Sequence, residues 1–288
     1  MSIQRRAVLA AATTAGLVGL SGCIIGPERR GSALGTLRIA STTSVEDSGL
    51  IAELNVAFEA RFETSVQTLP RGTGAALRLV ADGDVDAGIA HAPRLEVPLI
   101  DAGDAVNRRA MMWNRFTVVG PTDDPVGLEG VTTLTEAFEL LAAGEAVFLS
   151  RGDESGTHAR EQEIWEALGF EPAGRWYQSV GQGMGETLVQ ADQRGAYTLT
   201  DEGTLRSMRE NLNVERLVEA AADDPLHINR YSILASNPYR HEGVAHDLAL
   251  AYIGFVVGDE GQAVINEFRT GGEQLFQPTE TLPEAADA

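Results

Sequence analysis

Four short segments carry hydroxyl, amide and guanidinium donors where a strand would hand over to a helix. They are Ser41-Thr42-Thr43-Ser44, Arg71-Gly72-Thr73-Gly74, Ser150-Arg151-Gly152-Asp153-Glu154-Ser155-Gly156-Thr157 and Gly181-Gln182-Gly183-Met184-Gly185. A helix N-terminus presents unpaired N–H groups and the positive end of a dipole, which together suit an oxyanion. Hydroxyls add donors, and glycine lets the backbone come close to a ligand. Any one segment reads equally well as an N-cap or a turn. Four of them at matching places favour an anion site. Arg151 and Arg71 supply positive charge, and a guanidinium donates without accepting, as a fully deprotonated tetrahedral anion requires. The plain alternative for Arg151 is an ion pair with Asp153 or Glu154. The two readings are compatible, because a carboxylate behind the guanidinium would orient it.

Other chemistries lack their residues. The five histidines (His91, His158, His227, His241, His246) form no H-E-x-x-H pattern, so neither a metal centre nor a cofactor is expected. No G-x-S-x-G elbow or Walker A loop occurs, and GQGMG is not G-x-G-x-x-G. Ser155 and His158 lie three apart, a spacing typical of helix capping rather than catalysis. The chain reads as a binder, not an enzyme.

The elements that must hold these segments alternate. TLRIAST reads as a strand, and Leu50, Ile51, Leu54, Phe58 and Phe62 recur at helical spacing behind it. Ser44-x-x-Asp47 looks like a capping-box variant opening that helix. SVQTLP is a strand before a helix over 75–81, and DVDAGIAHAP reads as strand then loop. After Pro121 come a helix over 134–143, the strand AVFLS, a helix over 159–168, WYQSV, a helix from Glu186 and the strand AYTLT. This order predicts an α/β protein with parallel sheets. If the strands at Phe116–Gly120 and Tyr231–Ala235 both cross between two lobes, a cleft lies between them, at strand carboxyl ends.

Composition narrows the setting. The chain has 288 residues, 42 acidic against 22 basic, for a net charge of −20. All the basic residues are Arg. Such a surface repels phosphate backbones, so no nucleic-acid partner is expected. Acid excess without Lys resembles proteins of salt-loving archaea. At about 1 M salt the Debye length is about 3 Å, so an anion site there depends on short hydrogen bonds in a closed cleft.

The opening MSIQRRAVLAAATTAGLVGLSGC has an Arg5-Arg6 pair, an apolar stretch from Ala7 to Leu20, and Leu20-Ser21-Gly22-Cys23. It reads as a twin-arginine-type lipoprotein signal over 1–22, with a run too short to span a bilayer. Cys23, the single Cys, would carry lipid, and 23–35 would tether an extracytoplasmic domain to the outer face of the membrane.

STTSVEDSGL, RGTGAAL, GIAHAP, NRRAMMWNRFTVVGP, SRGDESGTHAREQEIW, GQGMGETL, GAYTLTDEGT and DEGQ resemble the tungstate-binding proteins of tungstate ABC importers, across residues 36–278. The resemblance implies a type II periplasmic-binding-protein fold: two doubly wound lobes joined by two crossing strands. Lobe I would be 36–117 plus 233–279 and lobe II 121–229, with an acidic tail over 280–288. It implies capture of tungstate, delivery to a permease with its ATPase subunit, and a monomer. Carried over by motif, Thr42, Thr43 and Ser44 would donate from one lobe, and Arg151, Ser155, Gly156 and Thr157 from the other. Thr73 from GTG and the Met184 backbone N–H complete the set. The family more often has TTTS and a hydrophobic residue before GTG, so Ser41 and Arg71 depart from it. A rival is the phosphate-binding protein, which shares R-x-D-x-S-G-T. It carries D-F-G-A-S-D where this chain has Asp86 to His91, and loss of the acidic acceptor disfavours a protonated anion. Molybdate, almost the size and charge of tungstate, stays open. An anion-sensing domain or an enzyme on this fold are the alternatives of another class.

Overall fold

The computed structural model describes residues 35–219, 221 and 224–283. The signal over 1–22, Cys23, the tether up to residue 34 and tail residues 284–288 lie outside the described residues.

β1 (Thr36–Thr42) buries Leu37 and Ile39 and ends in hydroxyls that enter α1 (Thr43–Ser48). Gly49, at φ 88°, breaks that helix before α2 (Leu50–Phe62), which buries Leu50, Ile51, Leu54 and Phe58. The capping-box expectation is therefore wrong. Thr42 is the N-cap position, and Ser44 and Asp47 lie inside α1. β2 (Ser65–Arg71), α3 (Thr73–Asp82) and β3 (Ala87–Ala90) follow. Next comes α4 (Pro93–Ala102), where a loop is expected from sequence. Pro93 opens it at a position whose N–H would be unpaired in any case.

β4 (Ala105–Gly120) is the long strand. Beyond it come α5 (Leu134–Gly144), β5 (Phe148–Ser150), α6 (Gly156–Ala167), β6 (Tyr177–Ser179), α7 (Met184–Arg194) and β7 (Thr198–Asp201). Then α8 (Glu202–Met208), β8 (Glu215–Arg216), β9 (Ile228–Ser236), α9 (His246–Val257), α10 (Asp259–Glu267) and β10 (Gln277–Pro278) close the chain.

The main sheet runs β10-β4-β9-β3-β1-β2. β1 pairs parallel with β2 and β3, but β9 runs antiparallel to both β3 and β4. The sheet is mixed, not purely parallel. β4 belongs to two lobes at once: Ala105 to Arg115 pairs with β9, and Phe116 to Val119 pairs with β7. β9 starts where β4 changes partner, Ile228 facing Arg115.

Each lobe has its own apolar core. In the first, Leu37, Ile39, Phe58, Ile233 and Tyr252 pack under α2, α9 and α10. In the second, Phe116, Phe138, Phe148, Trp165 and Trp176 cluster among α5, α6 and the strands. Burying such a side chain is worth about 1.5–3 kcal/mol, so the two cores hold two separately packed bodies on shared strands. Among the described residues no single helix is long and apolar enough to cross a membrane.

Candidate functional site

Three of the four donor segments open helices as expected, and the fourth does so one residue beyond Thr42. Met184 begins α7 behind Gly183, whose side is bare, so the helix keeps its unpaired N–H groups. With Thr43, Ser44 and Arg151, Met184 lines a cavity of about 400 Å³ that Thr204 also borders. The Met184 side chain belongs to a buried apolar cluster with Val119, Leu188 and Leu205.

Arg151 is 6% exposed. Its guanidinium meets Asp153 Oδ2 at 2.5 Å and donates from Nε to the Gln182 carbonyl at 3.4 Å. Asp153 in turn accepts the Ser155 N–H at 3.2 Å. The carboxylate thus fixes the guanidinium and the start of α6 together. Glu154 turns outward to Arg78. Arg71 does not join the site: it is exposed and donates to the carbonyl of Pro70.

Thr73, Ser155, Gly156 and Thr157 form a second group where the lobes touch. The Gly156 N–H donates to Thr73 Oγ1 at 3.1 Å, which leaves the threonine proton free for an anion. Ser155 Oγ accepts the His158 N–H as N-cap, and its proton is likewise available. Buried hydroxyls normally find partners. Thr42 Oγ1 and Thr157 Oγ1, in residues each 2% exposed, have none. Two orphaned donors within donor-bearing helix starts fit an acceptor-only guest.

Sequence reading misses the surroundings of these groups. α8 brings Thr204 to the cavity, held by Asp201, which accepts both its N–H and its hydroxyl. Asp47 and Glu186 also line the cavity, and burial, then the Glu186 charge, raises the Asp47 carboxyl above its ordinary value. A larger cavity of about 600 Å³ lies on α8 and β8. Its Arg206 and Arg216 are already paired with Glu202, and Arg209 also lines it. Among the described residues no group of three His, Cys, Asp or Glu could hold a metal ion.

Behind the site, Glu161 is buried on α6 and accepts from the Tyr177 hydroxyl at 2.6 Å. Burial raises its carboxyl from 4.5 to about 7, against the pull of Tyr177. A raised folded value favours the protonated fold, so this contribution is complete below the ordinary carboxylate range and is lost as pH rises through about 7. Glu161→Gln should remove a loss on the order of 3 kcal/mol between mildly acidic and alkaline pH. Melting temperatures across pH check this; parallel curves for the two proteins would refute it.

A two-lobe α/β body with a donor-lined crevice at strand ends is the architecture of a solute-binding protein. The comparisons agree. Residues 26–260 match the PBP superfamily domain. A Haloferax volcanii protein named for anion binding in an ABC transporter is 42% identical over 296 residues, covering 96% of this chain and 86% of its own length. The tungstate-binding protein TupA of Peptoclostridium acidaminophilum is 33% identical, over 91% of this chain and 93% of its own. The crystal structure of the tungstate ABC transporter from Geobacter sulfurreducens superposes with a TM-score of 0.74 at 40% identity, over 81% of this chain and 98% of that one. The chain belongs to the PBP superfamily and, within it, to the family of these anion- and tungstate-binding transport proteins.

Proposed function

We propose that the protein captures tungstate between its lobes and delivers it to an ABC permease and its ATPase. The observation that carries this is the set of unsatisfied donors at the helix starts. Thr42 and Thr157 hold buried hydroxyls without partners at the starts of α1 and α6, and the buried Arg151 lines the cavity with the starts of α1 and α7. Tungstate has four acceptor oxygens and no proton, so it can satisfy these donors. Arg151, Ser155 and Thr157 would act from lobe II, with the Met184 N–H, whereas the Gly156 N–H, expected from sequence to donate, is engaged by Thr73 Oγ1. Thr42, Thr43, Ser44 and Thr73 would act from lobe I. The sequence expectation of lobe I over 36–117 and 233–279 and lobe II over 121–229 would shift slightly: the change of partner along β4 at Arg115 and Phe116, with Phe116 in the second core and Tyr231 in the first, supports division near 115 and near 228.

A binder without catalysis fits the local geometry. His158 Nδ1 accepts the Glu154 N–H, so this imidazole is not poised as a base for Ser155. The names of the relatives support transport, an extracytoplasmic location and a bound anion rather than a cofactor. The Leu20-Ser21-Gly22-Cys23 sequence supports anchoring to the outer face of the membrane, where the protein would act as a monomer.

Parallel calorimetric titrations with tungstate, molybdate, sulfate and phosphate in high salt test the reading. One-to-one tungstate binding with silent sulfate and phosphate is expected; silence from all four in folded protein would sink it. Thr42→Val and Thr157→Val should each weaken tungstate by about 1–3 kcal/mol, because each leaves an oxyanion lone pair unmet. Both should melt no lower than the parent, since an unpaired buried hydroxyl is lost. Unchanged affinity in both would remove these two hydroxyls from the site.

A further inference from the structure

His91 follows β3 in lobe I and is 3% exposed. Its ring stacks on Tyr231 at 4.8 Å and on Phe116 at 6.3 Å. Nδ1 lies 2.9 Å from Asn229 Oδ1. The direction of that bond is fixed from the far end of a chain of amides. Asp201 can only accept, and it takes Asn114 Nδ2 at 3.3 Å. Asn114 Oδ1 then accepts from Asn229 Nδ2 at 2.7 Å, which also donates to the Tyr231 hydroxyl. Asn229 is left with its oxygen toward His91, so Nδ1 must carry the hydrogen. Nε2 therefore bears a lone pair. It lies against lobe II: a Cβ placed on Gly156 would fall 2.3 Å from it.

An acceptor there conflicts with a proton-free guest at the start of α6. We propose that His91 is a specificity-determining residue of the oxyanion site, taking a proton from the medium when a fully deprotonated dianion binds. This deepens the oxyanion reading of the cleft and rests on it. Nδ1–H stays with Asn229; the proton gained sits on Nε2, converting it from acceptor to donor. Solvent or buffer supplies that proton, and no other bond changes. An anion that brings its own proton can instead donate it to the neutral Nε2 and enters without uptake.

The charges around His91 give the sign. In the empty cleft, burial pushes its value down, the Arg151 cation adds to that, and Asp201 and Glu96 pull it up. Glu96 is itself held by Arg108 and the Ala92 N–H, and the α6 N-terminus opposes a cation. Arg160 on α6, a further cation, sits over the Phe116 ring. A dianion beside Arg151 more than cancels that cation and raises His91. Between the free and bound values each anion enters with a proton, so affinity falls as pH rises, by up to about tenfold per pH unit.

Calorimetric titration of the protein with sodium tungstate, in two buffers of different ionisation enthalpy between about pH 6.5 and 8.5, counts the protons. Uptake approaching one proton per tungstate is expected, abolished in His91→Asn, whose amide keeps the donor to Asn229. Binding without uptake, or equal uptake in the variant, overturns the inference. No binding of any oxyanion instead overturns the oxyanion reading itself. If His91→Asn does not fold, the Nε2 resonance of ¹⁵N-histidine in the unaltered protein decides. A move from lone-pair to N–H shift on adding tungstate supports the proposal, and an unmoved lone-pair signal refutes it.

Discussion

Arg151→Ala should abolish measurable tungstate binding while leaving the melting temperature nearly unchanged. The two halves of that result have separate causes. Arg151 is buried, and it is the single cation among the residues that line the crevice cavity. Without it a dianion would be buried against Asp47, Asp153 and Glu186 with only neutral donors. Breaking a buried charge pair in this way costs about 3–5 kcal/mol, a loss of several hundredfold or more. The fold loses little, because Asp153 is partly open to water and keeps the Ser155 N–H. Arg151→Lys should fall between the two, retaining charge but not the planar fork. Titration alongside thermal melts checks both halves. Unimpaired binding by Arg151→Ala would remove Arg151 from the site.

Gly156→Ala should fold normally and fail to close. Gly156 opens α6, has ordinary helical handedness, and within lobe II alone would accept alanine, the better helix former. The obstacle is in the other lobe, where the new methyl would meet His91 Nε2 at 2.3 Å. That ring cannot swing aside, since Tyr231 and Phe116 stack on it and Asn229 holds Nδ1. Overpacking a rigid contact costs about 1–3 kcal/mol, and here it is incurred only when the lobes meet. Tungstate affinity should drop about ten- to a hundredfold. Small-angle scattering should show the variant staying expanded with tungstate at a concentration that compacts the parent. Equal compaction would show that this contact does not limit closure.

The donor segments were legible because their signal is local: hydroxyls and glycines next to a strand-like run, with helical spacing beyond. The apolar faces of β1, α2 and β9 were legible for the same reason. α4 was not, because Pro93 and Pro98 argue against a helix in isolation. Its first turn is instead held by the buried Glu96, which accepts the Ala92 N–H. Ser44 and Asp47 imitate a capping box, but Gly49 in the left-handed region ends that helix after six residues. The amide chain from Asp201 to His91 has no local signature at all. Its members come from β4, β9, the end of β7 and the turn after β3, and only the packed strands bring them within hydrogen-bond reach. Arg71 shows the opposite failure, a residue with the right chemistry whose side chain turns back on Pro70.

The partner change along β4 also sets the order in which the molecule can be finished. The lobe that begins the chain is the last to be completed. β3 and the first part of β4 wait for β9 between them, and Leu37 and Ile39 wait for α9 and α10 to cover the core. A ribosome making about 5–20 residues per second finishes the whole of lobe II before that happens. For those seconds the nascent chain carries an open sheet edge and an uncovered apolar face, the features that invite aggregation.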